Sequence, residues 1–112
     1  MKYGARRTPC SNGCTHASAK EARRCDELHL LQRAGLIVGL RVEPRFTFHI
    51  NGREIVYPNG RRASYRPDFT YIENGRQVAE DVKGGRATVT EASALRMALA
   101  RTIWPEIDWR VV

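Results

Sequence analysis

The sequence predicts an α/β fold in which a mixed sheet is flanked by helices, in the order helix, three or more strands, helix, strand. Three observations support this prediction. A capping-box pattern, Ser18-x-x-Glu21, precedes a run of good helix formers. Three Asn-Gly pairs separate β-rich runs, and Asn-Gly is a strong signal for a hairpin. A second amphipathic segment is followed by an alternating segment at the C-terminus.

The length of the chain bounds its organisation. It has 112 residues, which suits one domain. Residues 1–17 are irregular and basic, so we expect an N-terminal arm with a tight turn at Asn12-Gly13, followed by a single domain over residues 18–112. No apolar run reaches the roughly 18 residues that a membrane helix needs. The N-terminus "MKYGARRTPC" lacks the apolar stretch of a signal peptide, so we expect a cytoplasmic protein with no membrane partner.

The first helix is predicted to run through "EARRCDELHLLQRA" and to stop at Gly35. At about 100° per residue, Cys25, Leu28 and Leu31 share one side of this helix. Glu21 falls within the same sector, which places a carboxylate on the side that faces the core.

The middle of the chain is typical of strands joined by tight turns. The strand-like runs, in order, are "LIVGLRVEP", "FTFHI", "REIVYP", "ASYRPDFTYI" and "RQVAEDVKG". Asn-Gly pairs at 51–52, 59–60 and 74–75 separate the later runs, which predicts a meander.

A second helix is expected after Thr88-x-x-Glu91, which could cap it. Its predicted buried stripe has Arg96 at the edge and consists of Ala92, Leu95, Leu99 and Ile103. Pro105 ends the helix, and "IDWRVV" (107–112) alternates well enough for a final strand.

The charge of the chain indicates a polyanionic partner. The formal net charge is +7, and arginine, which dominates, makes paired hydrogen bonds to phosphate. A solvated surface is the alternative explanation. We take DNA as the expected partner and Arg61, Arg62 and Arg66 as candidate contacts.

Two carboxylates and a lysine are expected to lie together on neighbouring strands. Alternation puts Arg66, Asp68 and Thr70 on one face, and it puts Asp81 and Lys83 together on the next strand. A hairpin over "YIENGRQ" would bring the two aspartates to the same side of the sheet.

Such a pair of carboxylates suits a hard divalent cation. Mg²⁺, or Mn²⁺ in its place, prefers oxygen ligands, and the carbonyl of Val82 could add one more. Lys83 could orient the attacking water or stabilise developing negative charge. Alternatively, Asp81 and Lys83 form a surface ion pair that contributes at most about 1 kcal/mol.

The segment "RPDFTYIENGRQVAEDVKG" resembles the catalytic signature of the PD-(D/E)xK nuclease superfamily. The resemblance implies a restriction-endonuclease-like core of helix, three strands, helix and strand. From about Ser18 to Val112, the wider pattern is similar to a family of small phage-associated proteins of that superfamily, which would act in a bacterial host. It consists of "SAKEARRCDELHLLQRAGLI", "EPRFTF", "YRPDF", "EDVKG" and "WPEI".

This resemblance assigns roles to individual residues. Asp68 matches the Pro-Asp acid, Asp81 the acid of the second half-motif, and Lys83 its lysine. Glu21 matches the acid on the first helix that often completes the metal site, although a capping role explains it equally well. Arg96 resembles the basic residue of the second helix that meets phosphate, with a solvated helix edge as the alternative.

Two functions follow as competing hypotheses. The first is a Mg²⁺-dependent DNA endonuclease that is directed to DNA structures or junctions. Such an enzyme could act as a homodimer that offers one site to each DNA strand. The second is a nucleic-acid-binding module without catalysis, in which the acids form structural ion pairs.

The N-terminal segment "PCSNGCTH" departs from the family resemblance. Cys10, Cys14 and His16, together with Cys25, have the ligand types that zinc prefers. Their C-x3-C-x-H spacing is not that of a standard knuckle, and Cys25 also fits as a small core residue. We therefore expect ordinary cysteines here, with zinc as the alternative.

Overall fold

The computed structural model describes residues 7–82 and 90–112. Within these ranges the helices are α1 (Ala19–Arg33) and α2 (Glu91–Ile103). The strands, in chain order, are β1 (Thr8–Pro9), β2 (Thr15–His16), β3 (Val38–Val42), β4 (Phe46–Thr47), β5 (His49–Ile50), β6 (Arg53–Glu54), β7 (Ser64–Tyr65), β8 (Phe69–Glu73), β9 (Arg76–Asp81) and β10 (Asp108–Val111).

The largest sheet in the described part of the chain has four strands in the order β10-β9-β8-β3. Strand β10 is parallel to β9, with Asp108 opposite Val78, and the other neighbours are antiparallel. The remaining strands form three two-stranded sheets, namely β1-β2, β4-β7 and β5-β6.

The predicted fold class is wrong. The described part of the chain is a small, mostly β domain with two helices and several small sheets, and not a helix-flanked restriction-endonuclease-like core. One physical reason is that the predicted long strands are interrupted. Pro67, which has no N–H for a strand ladder, lies in the break between β7 and β8. Glu43 has a φ of +50° directly after β3, so the chain turns away before the next strand begins.

Helix α1 has the predicted boundaries and the predicted buried side. The Ser18 side chain accepts a hydrogen bond from the Glu21 N–H at 3.2 Å, and the helix ends before Gly35, whose φ is +79°. Cys25 and Leu28 are fully buried. They form one core cluster with Ile37, Phe69, Tyr71 and Val78.

The hairpin between β8 and β9 is confirmed. Asn74 and Gly75 have φ values of +52° and +77°, the positive pair that a two-residue type I′ turn requires. The register pairs Phe69 with Glu80 and Tyr71 with Val78. This hairpin therefore fixes which residues of β8 and β9 share a face.

Helix α2 packs in a different way from the prediction. Its N-cap is Thr90, whose Oγ1 accepts from the Ser93 N–H at 3.1 Å, whereas Thr88 lies outside the described residues. Leu95 is 60% exposed, and Ala92 is exposed too, so the predicted stripe is wrong at these positions. Its other two members, Leu99 and Ile103, pack against the second core cluster, which consists of Phe48, Ala63, Tyr65 and Ala100.

The described part of the predicted N-terminal arm forms the β1-β2 hairpin, and this hairpin contacts α1. Gly13 has a φ of +85° at the predicted turn. The Asp26 carboxylate on α1 accepts hydrogen bonds from the Ser11 N–H at 2.8 Å and from the Asn12 side chain at 3.1 Å. The hairpin is therefore tied to the helix by its turn.

Among the described residues, neither helix has the length and apolar character needed to cross a membrane.

Candidate functional site

Asp68 and Asp81 lie at the same end of the central hairpin. Phe69 pairs with Glu80, so Asp68 directly precedes, and Asp81 directly follows, the last residue pair of the hairpin at this end. The Val82 N–H donates to Asp68 Oδ2 at 2.7 Å, which ties the two chain segments together. A joint metal site of Asp68 and Asp81 stays a prediction.

Asp68 is held against a second carboxyl group, that of Glu21. Burial raises the pKa of Asp68 to about 8, and the hydrogen bond with Glu21 and the charges of Glu21 and Glu43 act in the same direction. The Val82 N–H opposes this shift. The nearby negative charge of Glu21 therefore disfavours the ionised form of Asp68.

Glu21 is held at the start of α1, and its part in a metal site stays a prediction. Its Oε2 accepts a hydrogen bond from the Ala17 N–H at 2.9 Å, beside the helix N-terminus. It is 6% exposed and reaches Asp68. The contact of Glu21 with the start of the helix therefore leaves its carboxylate close to Asp68.

Asp81 lies beside a hollow of about 310 Å³. The Tyr65 O–H donates to Asp81 Oδ2, and Arg66 and Arg96 line the same hollow. Lys83, the predicted catalytic lysine, lies outside the described residues. Val82 is adjacent to the acids, and the ligand role of its carbonyl stays a prediction.

A basic groove of about 540 Å³ adjoins this hollow. The two share Ser64, Arg66 and Arg96. The arginines that line the groove are Arg45, Arg61, Arg62, Arg66 and Arg96. All four sequence-predicted nucleic-acid contacts are thus brought together. The sequence analysis did not predict Arg45 as a groove residue. No motif marks it, and the only available signal was the high arginine content of the chain.

The arginines of this basic groove are partly neutralised. Arg62 Nε lies 3.4 Å from Glu54 Oε1, and Arg66 Nη2 lies 3.8 Å from Glu43 Oε1. Both arginine side chains are more than half exposed. Such exposed pairs contribute little to stability.

Glu80, next to Asp81 in sequence, belongs to the opposite face. Its carboxylate is fully buried and accepts hydrogen bonds from Arg24 and from the Tyr71 O–H. Burial alone would raise the pKa of Glu80, but these hydrogen bonds and the charge of Arg24 lower it. Glu80 is therefore half of a structural ion pair with Arg24.

Cys10, Cys14, His16 and Cys25 form a separate cluster, called the Cys-His cluster below. One potential ligand atom from each residue lies within 4.8 Å of the others. The cluster forms because the β1-β2 hairpin packs against α1, so residues far apart in sequence converge. This arrangement is compatible with a bound metal ion. The expectation of ordinary cysteines did not anticipate it.

The thiols of the Cys-His cluster titrate differently from one another. Burial raises the pKa of Cys25 far above its usual range, and contacts with Cys10 and Cys14 add to the shift. Burial also acts to raise the pKa of Cys10, but hydrogen bonds, the Asn12 N–H first, lower it to about 7. Cys10 is thus the thiol most readily converted to a thiolate, the form that binds metals.

Comparison with known proteins identifies one family. A family profile described as "Protein of unknown function (DUF1064)" matches residues 1–111. No curated protein and no solved structure matches the chain.

Proposed function

This chain belongs to the DUF1064 family, and we propose that it is a metal-dependent DNA endonuclease that hydrolyses phosphodiester bonds. The observation that supports this most strongly is the basic groove, because it opens onto the hollow beside Asp81. A polyanion in the groove would pass a cluster of carboxylates. Acidic residues beside a phosphate-binding surface repel the ligand unless a cation bridges them.

The acids have the chemistry of a hard-cation site. Asp68, Asp81 and Glu21 offer carboxylate oxygens, and Val82 offers a carbonyl oxygen, which are ligands that Mg²⁺ or Mn²⁺ prefers. The Asp68–Glu21 contact is one that a divalent cation would relieve. The thiolates of the Cys-His cluster are soft ligands and do not suit this ion.

In the proposed reaction, different residues of the chain bind the phosphate and orient the water. Arg66 and Arg96 hold the phosphate beside Asp81, and Lys83 orients the attacking water and stabilises the developing charge. The water oxygen bonds to phosphorus and loses its proton, while the bond to one sugar oxygen breaks and that oxygen gains a proton. A bound Mg²⁺ would supply charge neutralisation and a lowered pKa for the water.

The substrate follows from the kind of contact available. Arginine contacts to phosphate fix position on a nucleic acid but carry little sequence information. We therefore propose cutting directed by DNA structure, such as a branch or junction, with a homodimer offering one site to each strand. Reduced thiols persist in a reducing compartment, so a cytoplasmic location is part of the proposal.

A non-catalytic nucleic-acid-binding module is the second candidate. Its support is that several acid oxygens already have protein partners: Val82 N–H on Asp68, Tyr65 O–H on Asp81 and Ala17 N–H on Glu21. In that case DNA binding would fall steeply with salt but would not depend on a divalent ion.

A cleavage assay separates the two. The protein is incubated with plasmid, linear and branched DNA, with Mg²⁺, with Mn²⁺ and with chelator. Asp81→Asn and Lys83→Ala are run alongside, and Asp108→Asn serves as the matched control because Asp108 pairs with Arg110 instead. The nuclease proposal expects metal-dependent cleavage that both variants abolish and the control retains. DNA binding without cleavage of any substrate contradicts it.

A further inference from the structure

The buried His16 ring lacks hydrogen-bond partners within the described part of the chain. It is 1% exposed, and neither ring nitrogen has a hydrogen-bond partner of ordinary geometry among the described residues. Glu21 Oε2 lies 3.9 Å from His16 Nδ1, too far for a hydrogen bond. An imidazole that is removed from water and left unpaired is unfavourable, so something besides protein is expected to engage it.

The side chains around His16 indicate that its partner is a metal ion. The three thiols of the Cys-His cluster lie within 4.8 Å of the imidazole ligand atom and of one another. Cys10 Sγ and Cys25 Sγ are 3.5 Å apart. With Zn–S bonds of about 2.3 Å, a tetrahedral site separates two sulfurs by roughly 3.8 Å, so only small shifts would admit the ion.

The hydrogen-bonding groups around these four side chains also suit a metal site. The Asn12 N–H points at Cys10 Sγ at 3.4 Å, as backbone donors do around metal-bound thiolates. Glu21 Oε2 lies 3.9 Å from His16 Nδ1, so a metal on Nε2 together with a small shift of Glu21 would complete a carboxylate–imidazole–metal arrangement. Asp26 holds the Ser11–Asn12 turn in place on α1.

We infer that Cys10, Cys14, His16 and Cys25 bind one Zn²⁺ in a closed, structural Cys₃His centre. Four protein ligands fill a tetrahedral zinc site and leave no position for substrate. The thiols enter as thiolates and release their protons on binding. The centre fastens the β1-β2 hairpin to α1, and through His16 it holds Glu21 beside Asp68. This inference does not depend on the proposed nuclease activity.

A disulfide between Cys10 and Cys25 is the main competing explanation for their short separation. It would leave Cys14 as a free thiol and His16 still without a partner. Zinc accounts for all four side chains together. A thiol count on the denatured, metal-free protein separates these outcomes, because the zinc centre requires three reactive thiols and the disulfide leaves one.

The test measures metal directly. Protein purified without chelator is analysed for zinc by elemental mass spectrometry, and the apo protein is titrated with Co²⁺ under reducing conditions. We expect one zinc per chain and Co²⁺ spectra with thiolate charge-transfer bands and tetrahedral ligand-field bands. Sub-stoichiometric zinc together with an absence of thiolate bands would overturn the inference.

Variants locate the site. His16→Ala is expected to weaken Co²⁺ binding at least tenfold, whereas His49→Ala is the matched control because His49 is exposed on β5. If His16→Ala does not fold, Cys14→Ser replaces it, and the spectrum should lose intensity from one thiolate. Unchanged Co²⁺ affinity in a folded His16 or Cys14 variant contradicts the assignment.

Discussion

Arg24 on α1 and Glu80 on β9 form a doubly hydrogen-bonded ion pair, with Nε–Oε1 at 2.8 Å and Nη2–Oε2 at 2.7 Å. The Glu80 side chain is fully buried, whereas that of Arg24 is 25% exposed. The pair links the helix to the central sheet across 56 positions of sequence. It also accounts for a carboxylate inside the core, because two charge-assisted hydrogen bonds replace its water.

Removing the charge of Glu80 should destabilise the fold. We expect Glu80→Gln to lower the free energy of unfolding by about 2–3 kcal/mol, slightly below the loss typical of a broken buried pair because Arg24 keeps some solvent contact. Glu27→Gln is the matched control. Glu27 contacts the same Arg24 at 3.1 Å but is 62% exposed, so a loss below about 1 kcal/mol is expected. Urea denaturation measures both, and equal losses would contradict the assignment.

Tyr71 should make stability fall in alkali. Burial, followed by its hydrogen bond to Glu80, raises the pKa of Tyr71 from 10.0 to about 12. A raised pKa favours the neutral form in the folded state, so this contribution is complete below pH 10 and is lost as pH rises towards 12. The loss should reach about 2–3 kcal/mol.

This alkaline effect is measured as a difference between proteins. The free energy of unfolding of wild type and Tyr71→Phe is followed from pH 8 to 12, and the part of the decline due to Tyr71 should be absent from the variant. Tyr57→Phe, at a side chain that is 41% exposed, should retain the wild-type decline. Parallel curves for wild type and Tyr71→Phe would disprove the prediction.

The basic groove should dominate binding to nucleic acid. Replacing Arg61 and Arg62 together by Ala should weaken duplex DNA binding and reduce the slope of log K against log salt by about 1–2, since each lost phosphate contact contributes about 0.9. Arg101→Ala is the control, because Arg101 is exposed on α2 and is not among the groove arginines. Fluorescence anisotropy over a salt series tests this, and an equal effect of the control would argue against the groove.

The second core cluster should carry much of the stability of the small sheets. Phe48 is fully buried beside Trp104, with ring centroids 6.1 Å apart. Phe48→Ala should therefore cost about 3–5 kcal/mol. Leu95→Ala removes a side chain that is 60% exposed and should change stability by less than about 0.5 kcal/mol. Thermal unfolding compares the two, and a large loss from Leu95→Ala would show that α2 packs differently.

The features that could be predicted from the sequence are those set by residues close together in the chain. The α1 boundaries depend on Ser18 and Gly35, and the β8-β9 turn depends on Asn74-Gly75, so each follows from residues a few positions apart. The same turn sets the register in which Phe69 pairs with Glu80. Glu21 was correctly placed on the buried side of α1 by helical periodicity.

Tertiary packing determined the rest. Periodicity cannot show that Phe48 and Tyr65 belong to a core shared with α2, or that Leu95 faces solvent, because both depend on which small sheet the helix meets. The Cys-His cluster requires a hairpin to fold back onto a helix, so the distance between Cys25 and His16 could not be read from their spacing. A buried position for His16 would have been the clue, and burial depends on tertiary structure.

Strand β9 places Glu80 and Asp81 on opposite faces, although they are adjacent in sequence. Successive side chains of a strand point to opposite faces of the sheet, so the face that each of these residues occupies depends on its register in β9. One residue inserted between Gly75 and Glu80 would exchange them, turning Asp81 towards Arg24 and Glu80 towards the arginines. Natural variation in length should therefore be tolerated in the turn near Asn59 and excluded from β9.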